Sequence, residues 1–144
     1  YDLSPPILYE LGLIPAFKWK LQQIHQKHGI KTAITGDESK IDIRKEFNIF
    51  LYRIVTELLN NVIKHAKADF IELKVKKEKN FYYITVQDNG IGFKKQLNKK
   101  ANMKGGFGLL SITERLDNIK GHLEIKSDIG EGTKATVIIP ISEE

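Results

Sequence analysis

Four short stretches of the chain hold side chains able to do chemistry. The first is Glu57-Leu58-Leu59-Asn60-Asn61-Val62-Ile63-Lys64-His65. On a helix advancing about 100° per residue, Glu57, Asn61, Lys64 and Ala68 fall together, roughly 60–120° from an apolar stripe centred on Leu58. A carboxylate, an amide and an ammonium therefore border a buried face. An amide oxygen is a hard donor suited to Mg²⁺. A carboxylate one turn earlier can orient water or take a proton, and a lysine one turn later can reach a phosphate. The same row also suits an exposed polar flank held by weak contacts one turn apart. Asn60 points further toward solvent. His65 falls almost on the apolar stripe, which predicts a packed, hydrogen-bonded core histidine.

The second stretch, Asp88-Asn89-Gly90-Ile91-Gly92, ends an alternating strand. Asp88 can only accept hydrogen bonds, so it can take an exocyclic amine such as that of adenine. Gly90 and Gly92 permit positive φ or close backbone approach. Ordinary turn chemistry fits as well. The third, Gly105-Gly106-Phe107-Gly108-Leu109, opens a helix. Its free amides and the helix dipole would favour an anion, while a flexible hinge is the competing reading. The fourth, Gly130-Glu131-Gly132-Thr133, precedes the last strand, and Thr133 could hydrogen-bond a base. Neither a phosphate-loop G-x-x-x-x-G-K-[ST] nor a dinucleotide-binding G-x-G-x-x-G is present.

The elements that must carry these residues follow from periodicity. Tyr9 to Lys27 has helical spacing, with Gly29 closing it and Pro5, Pro6 and Pro15 marking a break near its start. Ile30 to Thr35 reads as a strand and Gly36 to Lys40 as a polar loop. Ile43 to Ala68 reads as one long helix with Leu51, Ile54, Val55, Leu58 and Val62 on its apolar stripe. Phe70 to Lys76 and Phe81 to Gln87 alternate as a hairpin. Asp88 to Gly106 is a long lysine- and asparagine-rich loop, of a length that is usually functional. Phe107 to Lys120 reads as a helix; His122 to Ser127 and Thr133 to Pro140 read as strands. This order predicts an α+β two-layer sandwich with a mixed, mostly antiparallel sheet and helices on one face.

Composition is consistent with this. A chain of 144 residues, 41% hydrophobic and 28% charged, suits one globular domain with a real core. With no cysteine there is no disulfide framework, thiolate metal site or cysteine nucleophile. The +5 formal charge is scattered, with clusters at Lys74/Lys76/Lys77/Lys79 and Lys94/Lys95/Lys99/Lys100/Lys104. No helix-turn-helix or aromatic-rich single-strand motif accompanies it, so nucleic acid is not an expected partner. The first residues lack a methionine and a basic leader, and read as a piece of something longer.

Together, in order and spacing, the four stretches resemble the GHKL ATPase/kinase superfamily (gyrase, Hsp90, histidine kinase, MutL). Glu57-x-x-x-Asn61 is similar to its N box and Asp88-x-Gly90-x-Gly92 to its G1 box. Gly106-x-Gly108-Leu109 is similar to its G2 box, and Gly132-Thr133 to its terminal element. The likeness spans about residues 40–140 and implies the Bergerat α/β sandwich. Glu57 to Ala66, Gly108 to Leu116 and the opening Leu3 to Leu13 with Trp19 resemble nitrate-sensor-like histidine kinases. That resemblance implies ATP and Mg²⁺ as ligands. Asn61 would coordinate Mg²⁺, and Lys64 would meet phosphate. Asp88 would read the adenine amine with Thr133 in support. Gly90, Gly92 and Leu109 would also bind the nucleotide, and Gly106 and Gly108 would lie against the phosphates. Glu57 would polarise the incoming nucleophile, and Lys94 to Lys104 would form the ATP lid.

The resemblance also implies residues 1–28 as a helical connection from a dimerisation and phosphoacceptor domain, and 29–144 as the cytoplasmic ATP-binding catalytic domain of a sensor kinase, a parent protein that an inner-membrane anchor would also suit. The parent would be a homodimer and would pass its phosphate to a response-regulator receiver domain. One departure is plain: His25, His28, His65 and His122 all lack the acidic neighbour of a phosphoacceptor motif. An anti-sigma-type serine kinase on the same fold is a rival that the Leu3–Trp19 segment disfavours. A nucleotide-gated interaction module, as in chaperone or mismatch-repair ATPases, would need further domains.

Overall fold

The structure is a computed structural model and describes residues 5–37, 39–94 and 109–141. Helix α1 (Pro6–Leu11) and helix α2 (Leu13–His28) lead to strand β1 (Lys31–Thr35). Helix α3 (Lys45–Asn61) continues into a π turn (Val62–Ala66). Strands β2 (Phe70–Glu78) and β3 (Phe81–Asp88), helix α4 (Leu109–Asp117) and strands β4 (His122–Ser127) and β5 (Thr133–Pro140) follow. The sheet order is β1-β2-β3-β5-β4. Among the described residues, only the β1–β2 pair is parallel, joined through α3; the other pairs are antiparallel. The predicted two-layer sandwich with a mixed sheet is thus the observed one.

Alternation in the strands sets the layers. Ile71, Leu73 and Val75 of β2, Tyr82, Ile84 and Val86 of β3, and Ala135, Val137 and Ile139 of β5 are buried. Register places Leu73, Val86, Ala135 and Ile125 side by side, so one apolar row crosses four strands. The alternate residues, among them Lys74 and Lys76, face outward, and each lysine sits beside a glutamate (Glu72 at 3.8 Å, Glu78 at 3.5 Å). Leu51, Ile54, Val55, Leu58 and Leu59 of α3 and Ile112 and Leu116 of α4 belong to the core that covers the inner face. Burial at roughly 25 cal/mol per Å² makes that face the chief stabilising feature.

Two local readings change. The N-terminal helix is two helices, because Gly12 has φ 99° and ψ −169°, a conformation favouring glycine, and its N–H caps Leu8 O at 3.1 Å. The side chains Leu8, Leu13, Phe17, Leu21 and Ile24 of these helices join the same core as the sheet. Phe17 stacks on Tyr52 of α3 with ring centroids 6.2 Å apart. The long helix ends as a regular helix at Asn61, and the π turn completes it before Lys67, at φ 51°, closes it. Among the described residues, no helix is long and apolar enough to cross a membrane.

Candidate functional site

Strand register builds the site. One row beyond the apolar row, Ile71, Asp88, Thr133 and Ser127 stand side by side at the end of β2, β3, β5 and β4. Asp88 inherits the inward face from Tyr82, Ile84 and Val86 by the two-residue period of a strand. It is therefore only 5% exposed, a carboxylate at the margin of a hydrophobic face. Its Oδ1 accepts the Gly90 N–H at 2.8 Å, and the Thr133 N–H also donates to the carboxylate. Burial nevertheless pushes its pKa above the usual carboxylate range, outweighing those two donors. Burying an ion costs several kcal/mol unless it is compensated, which marks Asp88 as a group retained for something other than stability.

Asp88 and Thr133 lie at the base of a cavity of about 320 Å³. Leu58, Val62, Ile91, Leu109, Ile125 and Ala135 form apolar walls, and Asn61 and His65 are further polar lining groups. A largely apolar cavity with a buried acceptor is chemistry suited to an aromatic base that carries an amine. A larger hollow of about 570 Å³ between α1 and the approach to α3 contains none of the site residues.

The loops around the cavity are stitched by backbone. Ile91 N–H donates to Ala66 O at 2.7 Å, and Gly130 N–H donates to Ile91 O at 2.6 Å. Gly90 packs directly against the π turn: a Cβ there would lie 2.1 Å from Ala66 O. Gly92 has φ 64°, and its Cβ would lie 2.0 Å from Asp128 O. Asn89 clamps the loop to the start of β2. Its Oδ1 accepts the Asp69 and Phe70 N–H groups, both at 3.0 Å, and its Nδ2 donates to Asp69 Oδ1 at 2.6 Å. Asn89→Ala is expected to cost about 1 kcal/mol of stability, since solvent can replace these exposed bonds. Thermal denaturation measures it, and an unchanged melting temperature would contradict the clamp.

Of the residues chosen from sequence, Asn61, Asp88, Gly92, Leu109 and Thr133 line the cavity, and Gly90 is buried beside it. Lys64 is exposed on the π turn and is not among the lining residues. Glu57 lies outside the lining as well, its carboxylate 2.5 Å from Arg115 Nη2, which ties α3 to α4. Gly106 and Gly108, and all of the lysine-rich stretch except Lys94, lie outside the described residues.

His65 corrects its reading. It is exposed and lines the cavity instead of packing in the core. The helical wheel assumed 100° per residue, and a π turn advances less per residue, so positions after Val62 fall behind it. Sequence reasoning missed Arg115, Asn89 and Ser127. Each acts through a partner at least five residues away, which no local pattern announces. The only available signal for Ser127 was its alternation onto the inward face of β4.

Comparison with known proteins fits this architecture. Residues 47–143 match the family model described as histidine kinase-, DNA gyrase B- and HSP90-like ATPase. The chain is 35% identical over its whole length to the signal transduction histidine-protein kinase/phosphatase DegS of Brevibacillus brevis, covering 36% of that protein. It is 32% identical over 99% of its length to the oxygen sensor histidine kinase NreB of Staphylococcus carnosus, covering 40% of it. The chain thus spans well under half the length of these relatives. In fold it matches the blue-light activated histidine kinase of Erythrobacter litoralis EL346, with a TM-score of 0.75 and 21% identity over 92% of this chain and 42% of that one. The matched span covers the α3 face, the Asp88 loop and the final hairpin that together enclose the cavity, and the chain belongs to the histidine kinase-, DNA gyrase B- and HSP90-like ATPase family.

Proposed function

We propose that this chain is the ATP-binding catalytic domain of a sensor histidine kinase, and that the γ-phosphoryl group passes to a histidine on a separate dimerisation helix. The observation that carries this reading is the buried Asp88 carboxylate at the base of an apolar cavity that Asn61 also lines. The donor set fits a purine nucleotide: Asp88 accepts the base amine, Thr133 assists, and Leu58, Ile91 and Ile125 cover the ring faces. Asn61 supplies an amide oxygen suited to Mg²⁺, which when bound would neutralise phosphate charge. Gly90 and Gly92 let the loop approach the π turn and the β4–β5 turn closely enough to shape the cavity. Lys64, Gly106 and Gly108 would meet the phosphates, with Leu109 against the nucleotide in the cavity wall.

In the transfer, the bond between the γ-phosphorus and its bridging oxygen breaks, a bond to an imidazole nitrogen forms, and ADP leaves. Glu57 would polarise that imidazole, and Arg115 holds its carboxylate at the α3–α4 junction. The parent protein would be a homodimer that hands its phosphate to a response-regulator receiver domain, working in the cytoplasm where ATP is present. We place the start of the catalytic domain at residue 29, with residues 1–28 as the connection from the dimerisation domain.

The test joins this chain to a dimerisation helix carrying an acceptor histidine and supplies γ-labelled Mg-ATP. Acid-labile phosphohistidine is expected; acid-stable phosphoserine would point to the serine-kinase rival. Glu57→Gln in the same system is expected to leave ATP affinity within about twofold and to slow phosphorylation by about 100-fold, the low end of general acid–base contributions. An unchanged rate would remove Glu57 from the chemistry.

A further inference from the structure

Ser127 sits at the far end of the polar row, and its hydroxyl has three neighbours. The Phe93 N–H donates to Oγ at 2.9 Å, the Gly132 carbonyl lies at 3.0 Å and Thr133 Oγ1 at 2.8 Å. A serine hydroxyl offers one proton and two acceptor positions. Phe93 N–H can only donate and Gly132 O can only accept, so the first takes one acceptor position and the second takes the proton. The remaining acceptor position must then receive the Thr133 proton. The opposite arrangement, with the Ser127 proton on Thr133, would leave two oxygens facing each other at 3.0 Å without a hydrogen between them.

We infer that Ser127 is a specificity-determining positioning residue: by drawing the Thr133 proton away from the cavity, it makes Thr133 an acceptor toward the bound base. This inference rests on the nucleotide-binding reading above. The Asp88 carboxylate beside it already accepts the Gly90 N–H, so both side chains at that end of the cavity then act as acceptors. A base with a 6-amino donor satisfies that pair, and a base with a 6-oxo acceptor meets two lone-pair groups. The residue that orders this preference does not itself line the cavity. It acts from the neighbouring strand, through a hydroxyl that strand register sets beside its partner.

The experiment compares Mg-ATP with Mg-ITP, which carries a 6-oxo group in place of the amine. Equilibrium titrations use the wild-type chain, Ser127→Ala, Ser127→Thr and Thr133→Val. Wild type should prefer ATP by about 100-fold or more. Ser127→Ala frees the Thr133 proton to turn toward a 6-oxo group, so the ATP/ITP ratio should narrow by about tenfold, chiefly through tighter ITP binding. Ser127→Thr keeps the hydroxyl and should restore the ratio, which a merely structural role for the side chain would not require. Thr133→Val removes the acceptor and should also narrow the ratio, and it decides the matter if Ser127→Ala does not fold. A ratio unchanged in Ser127→Ala, or widened in Thr133→Val, overturns the inference while leaving ATP binding intact. Failure of the wild-type chain to bind ATP would instead overturn the nucleotide-binding reading itself.

Discussion

Asp88→Asn is expected to weaken ATP binding by about 2–4 kcal/mol, roughly 30- to 1,000-fold in Kd, while the protein stays folded. A carboxylate has two acceptor oxygens: the Gly90 and Thr133 N–H groups use part of that capacity, and the remainder is available to a base amine. A carboxamide has one acceptor oxygen. If that oxygen keeps the Gly90 bond, its NH₂ opposes the amine of the base; if it flips, its NH₂ opposes the Gly90 N–H. In either orientation two donors face each other in a site with little water, which costs far more than the loss of an average hydrogen bond.

The same substitution carries a pH signature. Burial raises the Asp88 pKa in the fold above its value in the unfolded chain. A raised folded pKa means that protonation stabilises the fold: the contribution is full below the unfolded pKa and is lost as pH rises through the folded one. At neutral pH the wild-type domain therefore bears the burden of a buried ion that Asp88→Asn lacks. The stability of the nucleotide-free variant relative to wild type should therefore increase as pH rises toward 7 and decrease on acidification. Thermal denaturation of both proteins across that range reads it directly. A variant that melts well below wild type at pH 7 would mean that the carboxylate is structural.

Gly90→Ala should be damaging to both the fold and the site. The new Cβ would lie 2.1 Å from Ala66 O and 2.8 Å from the Ala66 carbonyl carbon, so backbone must move. That same oxygen accepts the Ile91 N–H, and Ala66 and Ile91 both line the cavity. Relief by displacing the π turn would break this bond and carry the wall of the slot with it. A cost of about 3 kcal/mol, or roughly 10 °C in Tm, is expected from overpacking alone, with nucleotide affinity lost alongside. Gly130→Ala is the control. Gly130 has φ 83° but open space around its Cβ position, so it should lose only about 1–2 kcal/mol, the cost of the left-handed conformation. Equal losses in the two variants would contradict close approach as the reason for glycine at 90.

Much of this is legible in the sequence. His122–Ser127 and Thr133–Pro140 alternate cleanly between turn residues, and both appear with those bounds. The fold class followed from the order of periods. Asp88, Asn61 and Thr133 were legible because strand and helix periods fix which side they take. The shortfalls share a physical origin. Gly12 splits a helix whose apolar spacing continues through it, so periodicity could not show the break. The π turn rotates His65 off its expected face, a change in pitch that residue types do not announce. Arg115 meets Glu57 across 58 positions, and Ser127 meets Phe93 across 34. Such partners exist only once the sheet and helices have packed.

The most direct measurement is a backbone amide NMR titration of the chain, a 16.5 kDa protein, with Mg-ATP. Saturable shifts concentrated at Asn61, Gly90, Gly92 and Thr133, and weakened when Mg²⁺ is chelated, are expected. Shifts that do not saturate, or that gather instead around the larger hollow lined by Leu13, Ile43 and Asn48, would contradict a nucleotide site built on Asp88.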